Sequence, residues 1–299
     1  MAPKKLPRRL YKYRSFGINS LRLLSEAKIF YANPKSFNDP LDCDPTVEID
    51  TDRGSLEKLC YRMLAAAKGK DEALKEIDNH RYMSSEFGNY KTDPEVEKYY
   101  MRSLGSQIKD LLDAEMALWG VLSMAERWDC PLMWSHYADG HRGICIECDL
   151  TDHCCSHIKP VDYKHSRSIK ITDVMEWKLR KSAEAQQRIL DTCFFAKSSQ
   201  WRYEREWRDI YRPHGMRPAP FRVTGVYFGL RCDAAVQTSI VKLFANSAAN
   251  IAFYDLYPLE DSFRLKRRQI DPGEIEATGV RTSALLDFKN VVLDEGRDV

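Results

Sequence analysis

Alternating and helical patterns of apolar side chains divide the chain into strands and helices that interleave along its length. Runs with a two-residue period predict strands at 10–14, 29–32, 120–126, 144–148, 221–230, 251–257 and 263–267. Apolar residues three and four positions apart predict helices at 21–28, 56–68, 71–79, 93–119, 173–194 and 233–246. Ser20 is the expected cap of the first helix. The mixture predicts an α+β protein.

The predicted strands flank one section that is almost entirely helical, residues 54–121. We therefore expect a single α+β domain over residues 1–270, built on a mixed or antiparallel sheet, with 54–121 as a helical insertion. Residues 271–299 form an acidic C-terminal tail.

The stretch KSSQWRYEREWRDIY, residues 197–211, carries the most concentrated chemistry. In a strand, alternate side chains share a face. Glu204 and Glu206 would then lie together on one open face, flanked by arginines, with Trp201 and Trp207 toward a core. In a helix, the same residues would form ion pairs four positions apart on a solvated surface. The period-two aromatics favour the strand.

Composition limits the class of protein more than its activity. The chain has 299 residues and a net charge of +2, and no apolar run of its sequence reaches the roughly 20 residues that cross a membrane. The basic N-terminus lacks the apolar segment of a secretory signal, so we expect a cytoplasmic protein without membrane attachment. Residues 159–222 carry 15 basic and 8 acidic residues, a balance that suits a nucleic-acid partner.

Two clusters suggest metal binding. The Cys145-x-x-Cys148 pair is followed by His153, Cys154, Cys155 and His157, but no second Cys-x-x-Cys completes a zinc site, and free buried thiols are the simpler interpretation. His136, Asp139 and His141 would suit a metal-dependent nuclease or hydrolase if a glutamate joined them. This second possibility stays open as an alternative function.

Five segments, in order, resemble a bacterial family catalogued as domain of unknown function 2971. They are YKYRS at 11–15, PKSFNDPLD at 34–42, MWSHYADGHRGICIECD at 133–149, WRYEREWR at 201–208 and a V-x-F-G segment at 226–229. The resemblance covers roughly residues 10–260. The family name by itself implies no activity.

The chain is also similar, more weakly, to ADP-ribosyltransferases. These enzymes carry a cationic residue on the first core strand, a polar or aromatic motif on a middle strand, and a glutamate, often in Glu-x-Glu, on a later strand. The resemblance implies Glu206 as the catalytic glutamate, with Glu204 engaging the acceptor. It implies NAD contacts from Arg14, Tyr13, Trp134, Ser135, His136 and Tyr137, although no Ser-Thr-Ser strand is present. Substrate contacts are expected from Asn38, Asp39, Trp201 and Arg208.

The function that this resemblance implies is transfer of ADP-ribose from NAD to a nucleic acid or a protein. Cleavage of the nicotinamide–ribose bond develops positive charge on the ribose, which a carboxylate stabilises. The implied setting is a bacterial toxin or phage-defence effector, with an antitoxin protein as a possible partner. A non-catalytic interaction or regulatory module is the main alternative.

Overall fold

The computed structural model describes residues 5–86, 88–152, 158–245 and 250–276. In this part the strands are β1 Arg9–Arg14, β2 Lys28–Tyr31, β3 Thr46–Glu48, β4 Gly120–Ala125, β5 Ile144–Asp149, β6 Lys159–Pro160, β7 Ser168–Lys170, β8 Glu206–Tyr211, β9 Gly215–Pro218, β10 Arg222–Phe228, β11 Ala252–Pro258 and β12 Leu265–Gln269. The α-helices are α1 Ile18–Glu26, α2 Arg53–Lys68, α3 Lys70–Ser85, α4 Pro94–Met116, α5 Pro131–Tyr137, α6 Ile171–Arg180, α7 Ala183–Phe195, α8 Ala234–Leu243 and α9 Pro272–Glu276. Two 3-10 helices, η1 Pro34–Ser36 and η2 Ser199–Glu204, complete the elements. The predicted α+β class is confirmed.

The chain forms two compact units, each made of several stretches. The first contains residues 1–10, 26–127 and 150–222, and the second contains residues 11–25, 128–149 and 223–299. The prediction of a single domain over 1–270 stays a prediction. The predicted tail lies largely outside the described residues, which end at 276.

In the first unit, α2, α3 and α4 pack with α6 and α7 around one apolar core. Its largest fully buried side chains include those of Tyr100 and Phe194. Val121 of β4 and Ile210 of β8 belong to the same core. The strand order is β4-β8-β6, and β4 and β8 are antiparallel with Ala125 opposite Glu206. Two small sheets, antiparallel β2-β9 and parallel β3-β7, complete the unit.

Local signals account for where the helices of this unit begin. The Asp52 side chain accepts a hydrogen bond from the backbone of Ser55 at the start of α2. At the start of α4, the Asp93 side chain accepts hydrogen bonds from the backbone of Glu95 and Val96, and Pro94 takes the first helical position. These helices confirm the predicted helical character of 54–121.

The second unit contains a mixed sheet with the strand order β12-β11-β10-β5, continued by residues 11–14 of β1. Strands β10 and β11 are parallel, whereas β11 and β12 are antiparallel. Gly143, just before β5, is required by packing, because a Cβ there would lie 2.2 Å from the Arg14 carbonyl oxygen. Among the described residues, no helix combines the length and the apolar character needed to span a membrane.

Three local predictions were wrong. The first helix begins at Ile18, so Ser20 lies inside it, and its hydroxyl donates to the Ser15 carbonyl instead of capping. The predicted helix 173–194 is two helices, because Lys181 adopts a left-handed conformation with φ of 60° and Ser182 caps the second helix. Residues Gly215–Pro218, where no strand is predicted from the sequence, form β9, which pairs with β2.

Candidate functional site

The stretch 197–211 is neither the continuous strand nor the helix that its pattern allowed. Residues Ser199–Glu204 form η2, Arg205 is left-handed with φ of 45°, and β8 begins only at Glu206. The predicted open face is also wrong. Glu204 is 2% exposed and Glu206 is 6% exposed, because the turn at Arg205 directs both carboxylates inward.

Both glutamates bind the same ammonium group. Lys197 Nζ lies 2.5 Å from Glu204 Oε2 and 2.9 Å from Glu206 Oε2, and it lies 3.3 Å from Asp42 Oδ2. Three carboxylates therefore surround one buried ammonium group. We call Asp42, Lys197, Glu204, Glu206 and Arg208 the charge cluster.

Arg208 is the second cation of the cluster and is completely buried. Its Nε donates to Glu206 Oε1 at 2.7 Å, and its Nη1 and Nη2 donate to the two oxygens of Asp42 at 2.9 and 2.6 Å. The Phe194 carbonyl oxygen accepts a further bond from Nη1 at 2.8 Å. Arg208 was predicted to contact a substrate directly. Its side chain exposes no surface to solvent, and its guanidinium group is already bonded to Glu206, Asp42 and Phe194.

The electrostatics of the cluster favour its ionised form. Burial opposes ionisation of Glu206, but the charges of Arg208 and Lys197 outweigh it and hold the pKa of this carboxyl far below its usual value. Burial likewise opposes the charge on Lys197, yet Glu206 and the neighbouring carboxylates raise its pKa. With all five groups ionised, three carboxylates and two cations leave a formal charge of −1 on side chains that are almost fully buried.

A cavity of about 290 Å³ adjoins the cluster through Asp42 and Cys43. It is lined by residues of the segment 33–44 together with Asp113, Met116, Ala117 and Phe194. The lining includes the carboxylates of Asp39, Asp42, Asp44 and Asp113. Burial raises the pKa of the Cys43 thiol, so this side chain is not a ready nucleophile.

Two of the predicted substrate residues meet at the rim of this region. The indole nitrogen of Trp201 donates to Asp39 Oδ2 at 2.8 Å, and the backbone of Leu41 donates to Asp39 Oδ1 at 2.9 Å. Asn38, the third predicted substrate residue, is exposed. The structure thus places Glu204, Glu206, Asp39, Trp201 and Arg208 in one neighbourhood of the first unit.

The residues predicted to contact NAD lie in the second unit. Trp134 is fully buried, its ring meets Tyr13 edge-on at 5.2 Å, and its indole nitrogen donates to the Trp128 carbonyl at 2.6 Å. Ser135 and His136 are exposed, whereas Tyr137 is half-buried. These contacts give Trp134 and Tyr13 a packing role, and their contact with NAD stays a prediction.

Arg14 is half-buried at the end of β1 and donates to the Asn19 carbonyl at 3.4 Å. Burial lowers its pKa from the usual value of an arginine. An arginine that is partly desolvated is suited to pair with a phosphate. Its predicted contact with the pyrophosphate of NAD stays a prediction.

The metal cluster of His136, Asp139 and His141 does not form. Among the described residues, no three His, Cys, Asp or Glu side chains approach closely enough to hold a metal ion, and this includes His136, Asp139 and His141. Cys145 and Cys148 are free and fully buried, as the simpler interpretation held. Residues 153–157, which completed the zinc alternative, lie outside the described residues.

Sequence reasoning missed two partners of the predicted site. Asp42 was part of the PKSFNDPLD motif, and Lys197 opened the stretch 197–211. The contacts of Asp42 with Lys197 and Arg208 join distant parts of the chain. It also missed Glu147, a buried carboxylate of the second unit that accepts bonds from the hydroxyls of Thr224 and Tyr227. A charged residue in the otherwise apolar run ICIEC was the available signal.

We compared the chain with models of protein families, with curated proteins and with solved structures to test the family resemblance. Residues 133–209 match the model of the family described as protein of unknown function DUF2971. The resemblance to DUF2971 is confirmed over these residues, and its wider span of roughly 10–260 stays a prediction. The matched region is roughly a quarter of the chain and contains Trp134 together with Lys197, Glu204, Glu206 and Arg208. No curated protein and no solved structure matches the chain.

Proposed function

We propose that the chain is an NAD-dependent ADP-ribosyltransferase with a fold of that type, and that the charge cluster supplies the electrostatic part of its catalysis. The observation that carries the proposal is the ionised Glu206, held at the first residue of β8 in a buried cluster whose formal charge is −1. The Glu-x-Glu spacing of Glu204 and Glu206 agrees with the resemblance stated above.

The reaction needs negative potential at the place where the glycosidic bond breaks. The electron pair of that bond leaves with the nicotinamide nitrogen, and the ribose carbon becomes positively charged. An oxygen or nitrogen of the acceptor then bonds to this carbon and gives up its proton to water. A negative charge excluded from water acts more strongly on the developing cation than a hydrated one.

The cavity supports the same reaction by its lining. Its volume of about 290 Å³ lies at the low end of small-molecule sites, so it suits the nicotinamide riboside portion of NAD rather than the whole dinucleotide. Glu206 is not part of the lining, but Asp42 is, and Arg208 links the two carboxylates. In this proposal Glu206 acts through the charge of the cluster.

The setting that we propose, a bacterial toxin or phage-defence effector, follows from the resemblance to toxin transferases. In such a system an antitoxin protein would be a natural partner. The acceptor is a nucleic acid or a protein, and nuclease and protease treatment of the labelled product distinguishes these two classes.

Transfer is tested by incubating the purified chain with adenylate-³²P-labelled NAD and bacterial lysate. Nuclease- and protease-treated portions then show which class carries the label. We expect labelling by the wild type and a loss of about 100-fold or more for Glu206→Gln. Asp209→Asn is the matched control, because Asp209 is equally buried on β8 but bonds to Tyr31. Circular dichroism confirms that both variants fold. No label with the wild type would overturn the proposal.

A second candidate, a non-catalytic interaction or regulatory module, is favoured by one specific observation. Both oxygens of Glu206 already accept bonds from cations, from Arg208 at 2.7 and 2.9 Å and from Lys197 at 2.9 Å. A carboxylate in this state can serve purely to stabilise the fold. This candidate predicts that Glu206→Gln lowers the free energy of unfolding and that no variant, including the wild type, transfers label.

A further inference from the structure

The hairpin of β11 and β12 carries an unusual combination of positive charge and exposed aromatic rings. Strand β12 is the last in its sheet order, and its residues Lys266, Arg267 and Arg268 are exposed, as is Arg264 just before it. The acidic residues of the hairpin turn, Glu260 and Asp261, precede this strand, so the positive charge is concentrated along β12 itself.

Two aromatic rings stand beside these cations. Phe263 is 97% exposed, and Tyr257 is 47% exposed. The register places Tyr257 directly opposite Lys266, and Asp255 opposite Arg268. Directly opposed residues of an antiparallel pair share a face. Tyr257 therefore lies on the same face as Lys266 and Arg268.

The opposite face of β12 gives the surface a rigid support. The Arg267 guanidinium lies 4.4 Å from the ring centre of Tyr254 and donates to the Tyr227 hydroxyl. Tyr227 stacks in turn on Tyr254 at 4.7 Å and on Trp128 at 5.3 Å. Arg267 is thus committed to this stack. Arg268 lies 3.7 Å from Asp255 and keeps 77% of its side chain exposed.

Protection of a sheet edge explains only half of this pattern. Lysine and arginine on an edge strand do discourage pairing with other chains. A phenylalanine exposed at 97% beside that edge has the opposite effect, because it offers apolar surface for association. Cations alternating with exposed aromatics are instead the pattern by which proteins bind single-stranded nucleic acids, with phosphates on the cations and bases stacked on the rings.

We propose that the β11–β12 hairpin binds single-stranded nucleic acid. Arg264, Lys266 and Arg268 contact phosphates, and Phe263 and Tyr257 stack on bases. This surface belongs to the second unit, and the charge cluster consists of residues of the first, so the inference does not rest on ADP-ribosyl transfer.

Fluorescence anisotropy with a fluorescein-labelled 12-nucleotide pyrimidine strand tests the proposal on the full chain. We expect binding at 50 mM KCl that weakens with salt, with a slope of about 0.7 for each phosphate contact. Lys266→Ser with Arg268→Ser should reduce that slope by about 1.4. Phe263→Ala should weaken binding by about 5- to 150-fold.

Lys75→Ser with Arg180→Ser removes the same charge from exposed positions of the first unit and is the matched control. It should bind the strand like the wild type. Equal losses in the control and in the hairpin variant would overturn the proposal. So would a duplex of the same sequence, or an acidic peptide of equal charge, that binds as tightly as the single strand.

Discussion

Arg208 holds Asp42 through two parallel hydrogen bonds, Nη1 to Oδ1 at 2.9 Å and Nη2 to Oδ2 at 2.6 Å, although the two residues are 166 positions apart. The pair joins the PKSFNDPLD segment to the acidic strand β8. Such bidentate bonds combine charge with fixed geometry. Because Glu206 shares Arg208, and Lys197 shares Asp42, the pair also fixes the charge cluster as a whole.

Lys197→Met should destabilise the first unit strongly. The side chain is 6% exposed, and its removal leaves three buried carboxylates with Arg208 as their only cation in the cluster. Removal of one partner from a buried ion pair costs about 3–5 kcal/mol. Urea unfolding measures the loss. Lys75→Met, at a side chain 75% exposed, should change the free energy of unfolding by less than about 0.5 kcal/mol. Equal effects of the two variants would contradict the assigned role.

Asp42 and Arg208 should be energetically coupled. A double-mutant cycle with Asp42→Asn and Arg208→Lys should give a coupling of about 1–3 kcal/mol, because lysine cannot form the two parallel bonds. The comparison is the exposed pair Glu176–Arg180, at 2.8 Å on α6, whose coupling should be about 0.3–0.5 kcal/mol. Denaturant unfolding of each single and double variant supplies the numbers. Additive losses at Asp42 and Arg208 would show that the bonds contribute no net stability.

Stability should depend on pH at both ends of the range. The pKa of Glu206 is lower in the folded state, so its contribution is present above about 4.3 and is lost as the pH falls below that value. The pKa of Lys197 is higher in the folded state, so its contribution is present below about 10.4 and is lost as the pH rises further. Unfolding midpoints between pH 3 and 11 should show both declines, and Glu206→Gln should make the acid decline shallower. An unchanged acid slope in this variant would argue that Glu206 is not ionised.

Gly143→Ala should destabilise the second unit. The added Cβ would lie 2.2 Å from the Arg14 carbonyl oxygen and 3.0 Å from that of Ala138, so the backbone itself must shift. We expect a cost of at least about 2 kcal/mol. Gly17→Ala is the control, because its Cβ would meet nothing within 4 Å. Thermal unfolding should distinguish the two variants. The free energy of unfolding of Gly17→Ala should lie within about 1 kcal/mol of the wild-type value. A well-tolerated Gly143→Ala would mean that the start of β5 is free to move.

Periodicity predicted most elements because their burial follows the side-chain pattern. It failed where one backbone angle decides the structure. Lys181 and Arg205 both adopt left-handed conformations, which divided a predicted helix and shortened a predicted strand. Neither residue is glycine or asparagine, the usual signals of that conformation, so the breaks left no mark in the sequence.

The site was predicted as far as its residue types allow. Glu204, Glu206 and Arg208 were chosen for their charge and spacing, and they do meet. Their burial was missed, because a carboxylate is placed inside a protein only when distant cations compensate it. Lys197 supplies part of that compensation, and Asp42 completes the pairing from a segment that sequence alone leaves unconnected.

The 166 positions between Asp42 and Arg208 also order the events of synthesis. The first unit consists of three stretches, and the last ends at residue 222. On the ribosome, α2, α3 and α4 are complete long before Arg208 emerges, so they can pack against each other while Asp42 is still hydrated. Asp42 can form its bonds to Arg208 only after β8 has emerged. A nascent chain halted before residue 208 therefore keeps an unfinished, hydrated pocket, in a form that chaperones and proteases can distinguish from the completed protein.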